Sequence, residues 1–446
     1  MSETVRNPLA QKFTCISLLQ FAIPSILMMV FMGLYTIIDT IFVSRLVNTD
    51  ALSAMNIVCP IINMIVGLSA LLATGGNAII SRKMGAGAES GARENFTFLI
   101  FSGIILGIVI TLLGLLFLHQ LVIGLGASDR LLPYGEDYLG VLLLFTPFAI
   151  LQVLFQNLFV TAGKPCLGLW LSIVAGCANA ILDYLFIAVF HMGIAGAALG
   201  TGIGYTLPAI VGCIFFWKSK GTLYFTHIVI DLGVLKECCI NGSSEMVSQL
   251  AAAVTTFLFN AAMMRLVGEP GVAAITILIY SQFLLSSLYF GFSMGVAPVL
   301  GYQYGRKDYQ QLKKVFHICI RVIACTSFLI FLLSYCKGEF IASIFAKDDQ
   351  EVYSLAKQGF QIFSFSFLFS GLNIFTSTMF TALSNGKVSA VLSFMRTLVF
   401  ITFALLVFPY LWGIQGVWLS IPFAEAAAAI LSLITVFAYR AVYSYT

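Results

Sequence analysis

The chain reads as an all-α integral membrane protein with twelve transmembrane helices in two six-helix lobes, related by a pseudo-two-fold axis along the membrane normal. Three observations predict this. The composition is too apolar for a water-facing surface, the length is used up by about twelve spans, and an internal repeat relates the two halves.

Of the 446 residues, 60% are apolar and 9% charged, and the mean hydropathy is +1.00. A soluble domain carries roughly 25% charged residues. At about 20 residues per span, no room remains for a separate soluble domain. Apolar runs between polar breaks place helices near 13–44, 51–80, 95–118, 134–160, 166–190, 194–217, 238–266, 271–300, 313–336, 356–382, 388–410 and 414–438. The stretch Phe13 to Ile38 is too long for a signal-peptide core and has no small-residue cleavage site, so it is expected to remain as the first span. The ten cysteines fall mostly in apolar stretches without metal-ligand spacing and are expected to act as small apolar residues.

An even number of spans puts both termini on one side. Of the 23 Lys and Arg, fifteen fall at the termini and in the even-numbered loops, six lie on the opposite side, and Arg321 and Arg396 lie inside helices. Both termini are therefore expected in the cytoplasm. The net charge of +4 is scattered and gives no footprint for nucleic acid.

The repeat is visible at a shift of 220 residues. Arg45-Leu46-Val47 recurs as Arg265-Leu266-Val267, Gly75 and Gly85 match Gly295 and Gly305, and the Gly193 to Leu199 segment matches Gly413 to Leu419. Gly163-Lys164 meets Gly386-Lys387 at a shift of 223. Six helices per half preserve orientation, which makes the repeat parallel. The lobes are expected at 1–220 and 238–446, joined by a cytoplasmic connector at 221–237.

A charge at the middle of a membrane helix costs roughly 2.5–3.5 kcal/mol on insertion scales, so intramembrane carboxylates are functional candidates. Asp39, Asp183, Glu245 and Glu425 qualify. No Lys or Arg in the same helices is placed to neutralise them, so the expected partner is a mobile cation or a proton. Asn179 and Asp183 are four residues apart and share one helix face. Asp39 and Thr201 belong at similar depth. These oxygens suit a hard cation such as Na+, and the carboxylates suit a proton if burial raises their affinity for it. Each residue also has a structural explanation. Asn179 and Thr201 can serve as interhelical hydrogen-bond formers, and Asp39 and Asp183, near helix ends, can reach the headgroup water. Glu245, near the expected start of its helix, would favour the helix dipole. Glu425 sits among Ala424 and Ala426 to Ala429, a close-packing pattern. Pro24 removes a backbone hydrogen bond some four turns before Asp39, where bending can be coupled to ion binding.

In these features the whole chain resembles the multidrug and toxic compound extrusion (MATE) family. That family has an Asp on helix one, an Asn and an Asp one turn apart on helix five, and a Thr on helix six, matched here by Asp39, Asn179, Asp183 and Thr201. The resemblance adds Tyr138 to this cation-coupling pocket, gives Glu245 a place in the substrate pathway, and matches Pro24 to a helix-one hinge. Some members carry a further Asp on helix ten, whereas Phe360 to Leu383 contains no acid.

The resemblance implies a secondary antiporter in a bacterial inner membrane that exports cationic amphipathic organic compounds in exchange for Na+ or H+. It implies no cofactor beyond that ion and no obligate protein partner. Asp39, Asn179, Asp183 and Thr201 would hold Na+ if sodium is the coupling ion, and Glu425 joins Glu245 as a pathway residue. The alternative within the superfamily is a lipid or lipid-linked saccharide flippase, for which Arg321 and Arg396 are the only intrahelical cations. An enzyme is not expected: His119, His191, His227 and His317 are dispersed, and no phosphate-binding loop appears.

Overall fold

A computed structural model describes residues 7–47, 49–345 and 349–445, and among them every regular element is helical. The first half contains α1 (Cys15–Leu46), α2 (Thr49–Gly85), α3 (Glu89–Leu116), the short α4 (Leu118–Gly124), α5 (Leu132–Leu144), α6 (Thr146–Thr161), α7 (Pro165–Asp183) and α8 (Gly193–Lys218). The second half contains α9 (Leu232–Leu266), α10 (Glu269–Arg306), α11 (Tyr309–Phe345), α12 (Gln350–Phe363), α13 (Phe367–Ala382), α14 (Gly386–Phe394), α15 (Phe400–Trp412) and α16 (Ile414–Tyr443). Among the described residues eleven stretches are long and apolar enough to cross a membrane, and α5 with α6, bent by 55°, makes a twelfth if the pair is one broken span. Their outer faces carry exposed apolar side chains such as Leu112, Trp170, Phe257, Leu329 and Phe437, as lipid-facing surfaces require.

Departures from straight helices have local causes. The single helix expected at 134–160 breaks at Phe145, whose φ of −94° and ψ of 1° leave the helical basin, and Pro147 follows in the first turn of α6. Gly107 of α3 permits the bend, because a Cβ there would stand 2.5 Å from Pro147 Cα. Two spans carry a π-helical turn, at Tyr184–Val189 after α7 and at Met395–Val399 between α14 and α15. The helix expected from 238 begins at Leu232, where the Asp231 carboxylate accepts hydrogen bonds from the Gly233 and Val234 amides at 2.9 and 3.1 Å. Glu245 therefore lies well inside α9, and the helix-dipole explanation no longer applies to it.

The two ends of the described chain pack at one face of the molecule, called here the terminal face. Gln303 and Gln311 donate to the Leu9 and Phe13 carbonyls at 3.1 and 3.2 Å, and the Tyr445 ring lies 5.0 Å from Phe316. The largest apolar core sits at this end and crosses the lobe boundary, joining Leu72 and Ala73 of α2 to Cys238 of α9 and Val296 of α10. All ten cysteines are free thiols.

The lobes meet where α2 runs along α9 and α1 along α10. Their contacts repeat the internal symmetry. A Cβ on Gly85 would stand 2.0 Å from the Tyr302 carbonyl oxygen, and one on Gly305 would stand 2.0 Å from the Arg82 carbonyl oxygen. Residues 82 and 302, like 85 and 305, are repeat mates at the 220 shift. Gly75 approaches the Cys238 carbonyl, and Gly242 that of Leu71, just as closely. Only glycine permits such backbone contact, so the lobes are sealed together in the half nearer the terminal face. Arg82 of α2 and Glu237 of α9 add an ion pair across this contact at 2.8 Å.

Candidate functional site

The N-lobe places three of the expected oxygen ligands together. Asn179 and Asp183 lie on the last turns of α7 and Thr201 lies opposite on α8, all buried at 2%, 0% and 5% exposure. Asn179 Nδ2 lies 3.4 Å from Asp183 Oδ1 and 3.3 Å from Thr201 Oγ1. With the amide turned half a revolution, Nδ2 donates to Asp183 Oδ2 at 3.2 Å and Oδ1 accepts from the Thr201 amide at 3.0 Å. That orientation satisfies both amide atoms.

The close approach of α8 to α7 and its π turn depends on a stripe of small residues at helical spacing, with Gly196 against Phe186 of the π turn and Gly200 and Gly204 against α7. Gly200 makes room for the carboxylate itself: a Cβ there would lie 2.1 Å from Asp183 Oδ1. The sequence reading passed over this residue, although the four-residue spacing of glycines on α8 is a signal that points to it. Directly after Asp183 the chain enters the π turn, a feature frequent at functional sites.

Asp39 lies on α1, the helix that packs along α7, and its side chain falls outside the described residues. Tyr138 is buried on α5, packed in one apolar cluster with Ala197 and Ala198 of α8, one turn from Thr201. Pro24 is buried within an uninterrupted α1.

Between the lobes lies a cavity of about 230 Å³. Met29, Met32, Phe283, Phe290 and Met294 supply apolar walls, while Asn77, Gln156, Asn157 and Gln249 supply amides, and among the described residues Glu245 is the one carboxylate that lines it. Gln156 Nε2 is 3.4 Å from Met32 Sδ and 3.2 Å from Ser172 Oγ, and Asn77 is hydrogen-bonded by Thr161. An adaptable apolar space with a single acid suits an amphipathic cation.

Glu425 lies apart from that site, in a second cavity of about 220 Å³ within the C-lobe. Asn373 Nδ2 donates to Glu425 Oε2 at 2.7 Å and to its backbone carbonyl at 2.9 Å, and Ser432 Oγ donates to Asn373 Oδ1 at 3.0 Å. Arg396, from the π turn of the neighbouring span, places Nη1 3.6 Å from Glu425 Oε1. The expectation that these carboxylates lack a nearby basic partner is thus corrected for Glu425. Its partner comes from an adjacent helix, which a search along the same helix cannot find. Arg321, the other cation expected inside a span, is exposed on α11.

Comparison with known proteins agrees with this layout. The MatE family model matches residues 24–185 and again 246–406, once in each half. The multidrug export protein MepA of Staphylococcus haemolyticus (strain JCSC1435) is 26% identical over 428 residues, covering 95% of this chain and 93% of that protein. Among solved structures, a MATE in complex with MaL6 superposes with a TM-score of 0.94 at 21% identity, covering 99% of this chain and 100% of that one. The outward-facing conformation of a multidrug resistance MATE family transporter of the MOP superfamily gives 0.93 at 21% identity, covering 100% of both chains.

Proposed function

The chain belongs to the MatE family of multidrug and toxic compound extrusion transporters, and on that premise we propose that it is a secondary active antiporter exporting cationic amphipathic compounds in exchange for Na+ or H+. It is a transporter and not an enzyme. The multidrug export activity named for its staphylococcal relative supports the cargo class.

The observation that carries the coupling role is the buried Asp183 with Asn179 and Thr201 around it. A carboxylate, an amide and a hydroxyl are hard oxygen donors, and together with Asp39 they form a set that can receive Na+ or hold a proton. The two lobes, joined by the segment between α8 and α9 rather than by the expected 221–237, move against each other around the central cavity, with both termini in the cytoplasm of a bacterial cell. An ion arriving from outside binds Asp39 and Asp183, with Tyr138 closing the pocket, and stabilises the conformation in which the terminal face is sealed and cargo leaves outward. Pro24 supplies the bend that links ion occupancy to the shape of α1. Glu245 neutralises the cationic nitrogen of the cargo. A flippase for pyrophosphate-linked lipids would need a cationic cleft, whereas the inter-lobe cavity presents Glu245.

The test is efflux of tetramethylrhodamine methyl ester, a fluorescent monocation, from proteoliposomes under an inward Na+ gradient and, separately, an inward proton gradient. One gradient should drive flux and thereby name the ion. Absence of flux under both would rule out the antiporter.

A further inference from the structure

Arg396 is poorly satisfied where it stands. Its 3.6 Å approach to Glu425 is beyond hydrogen-bond range, whereas tight guanidinium–carboxylate pairs close to about 2.7–2.9 Å and often engage two N–H groups. Glu425 gives its short contact to Asn373 instead. The guanidinium has five N–H donors and makes no hydrogen bond within the described residues, yet its side chain is only 13% exposed. It stands in the π turn of a membrane-crossing span and lines the C-lobe cavity with the Thr255 hydroxyl and the Gln282 amide. A largely buried cation whose donors have no protein hydrogen-bond partner, facing a cavity of apolar walls set with hydroxyls and an amide, is a receptor for an anion. Phe283 and Phe290 line both this cavity and the one that holds Glu245.

We propose that the C-lobe cavity is a subsite for the carboxylate of amphoteric cargo, with Arg396 as the receiving group and Glu425 as its loosely held internal competitor. This rests on the export of organic cations proposed above. The cationic part of such a cargo lies toward Glu245 and its carboxylate docks on the N–H groups that Glu425 leaves unused. Glu425 then lowers affinity for the incoming carboxylate, so removing it should have the opposite effect to removing Arg396.

The test compares two probes that differ only in the anionic group, tetramethylrhodamine free acid and its methyl ester, by fluorescence anisotropy on purified protein in nanodiscs. For Arg396→Gln, affinity for the acid should fall by about tenfold or more, as expected for loss of a charge-assisted hydrogen bond, with the ester unchanged. Arg396→Lys should recover part of the loss, and Glu425→Gln should bind the acid more tightly than the native protein does. Equal weakening of both probes in Arg396→Gln, no change in either, or weaker acid binding in Glu425→Gln would assign the pair a structural role only and overturn the subsite. A native protein that exports the ester but does not bind the acid also overturns it, and leaves export intact.

Discussion

The two lobes share a scaffold and differ in where they keep their charge. At the 223 shift, Asn179 and Asp183 correspond to Thr402 and Leu406, and at the 220 shift Gly200 and Thr201 correspond to Ser420 and Ile421. The C-lobe therefore has no copy of the N-lobe donor set. Conversely, Arg396 and Asn373 correspond to Ile173 and Ile150 at the 223 shift, and Glu425 corresponds to Tyr205 at the 220 shift. In the N-lobe a buried carboxylate meets an amide that also reaches a hydroxyl. In the C-lobe a carboxylate meets an amide and a guanidinium tethered to the next span. A cation fixed to the chain cannot be exchanged across the membrane. On the antiporter reading proposed above, the shared backbone would serve the motion of the lobes, and the asymmetry of side chains would divide ion coupling from cargo recognition.

The largest effect should come from Asp183→Asn, which is expected to reduce gradient-driven efflux to the level of protein-free vesicles with normal expression. The matching change in the C-lobe, Glu425→Gln, should leave that coupling in place. Next is Gly200→Ala, whose added methyl enters the space of the Asp183 carboxylate. Coupled flux should fall by about tenfold or more, in line with a side chain displaced by an ångström from a working geometry. Its repeat mate Ser420 only bonds back to the Gly416 carbonyl at 2.8 Å, so Ser420→Ala should cost at most about 1 kcal/mol in thermal stability. Equal loss of flux in both variants would break the comparison.

The seal between the lobes should instead behave symmetrically. Gly85→Ala and Gly305→Ala each drive a methyl into a carbonyl oxygen of the facing lobe, so both should raise thiol-reagent labelling of a cysteine placed at the terminal-face end of the cleft, by similar factors. A response in one alone would mean that the lobes do not pivot about the pseudo-two-fold axis. Glu245→Gln should weaken binding of the rhodamine ester more than it weakens the response of flux to the ion gradient. Equal loss of both would deny Glu245 its separate role.

Much of this was legible in the sequence because the membrane imposes strong rules. The number and approximate placement of the spans, the register of the repeat and the pairing of Asn179 with Asp183 follow from apolar run length and helical spacing, both local properties. What escaped was set by contacts between helices. Arg396 reaches Glu425 from a different span, Gly200 matters because of an atom on α7, and the bend at Phe145 depends on Gly107 of α3. The start of α9 was placed late because the polar first turns of that helix, with Lys236 and Glu237, look like connector when read by hydropathy alone.

The central claim, that coupling resides in the N-lobe carboxylates, is tested most directly by the ratio of efflux with and without the driving ion gradient, measured for the rhodamine ester in native, Asp183→Asn and Glu425→Gln proteoliposomes. The ratio should collapse to unity in Asp183→Asn and stay at the native value in Glu425→Gln. A native ratio in Asp183→Asn, or a ratio of unity in Glu425→Gln, would contradict the division of labour between the lobes.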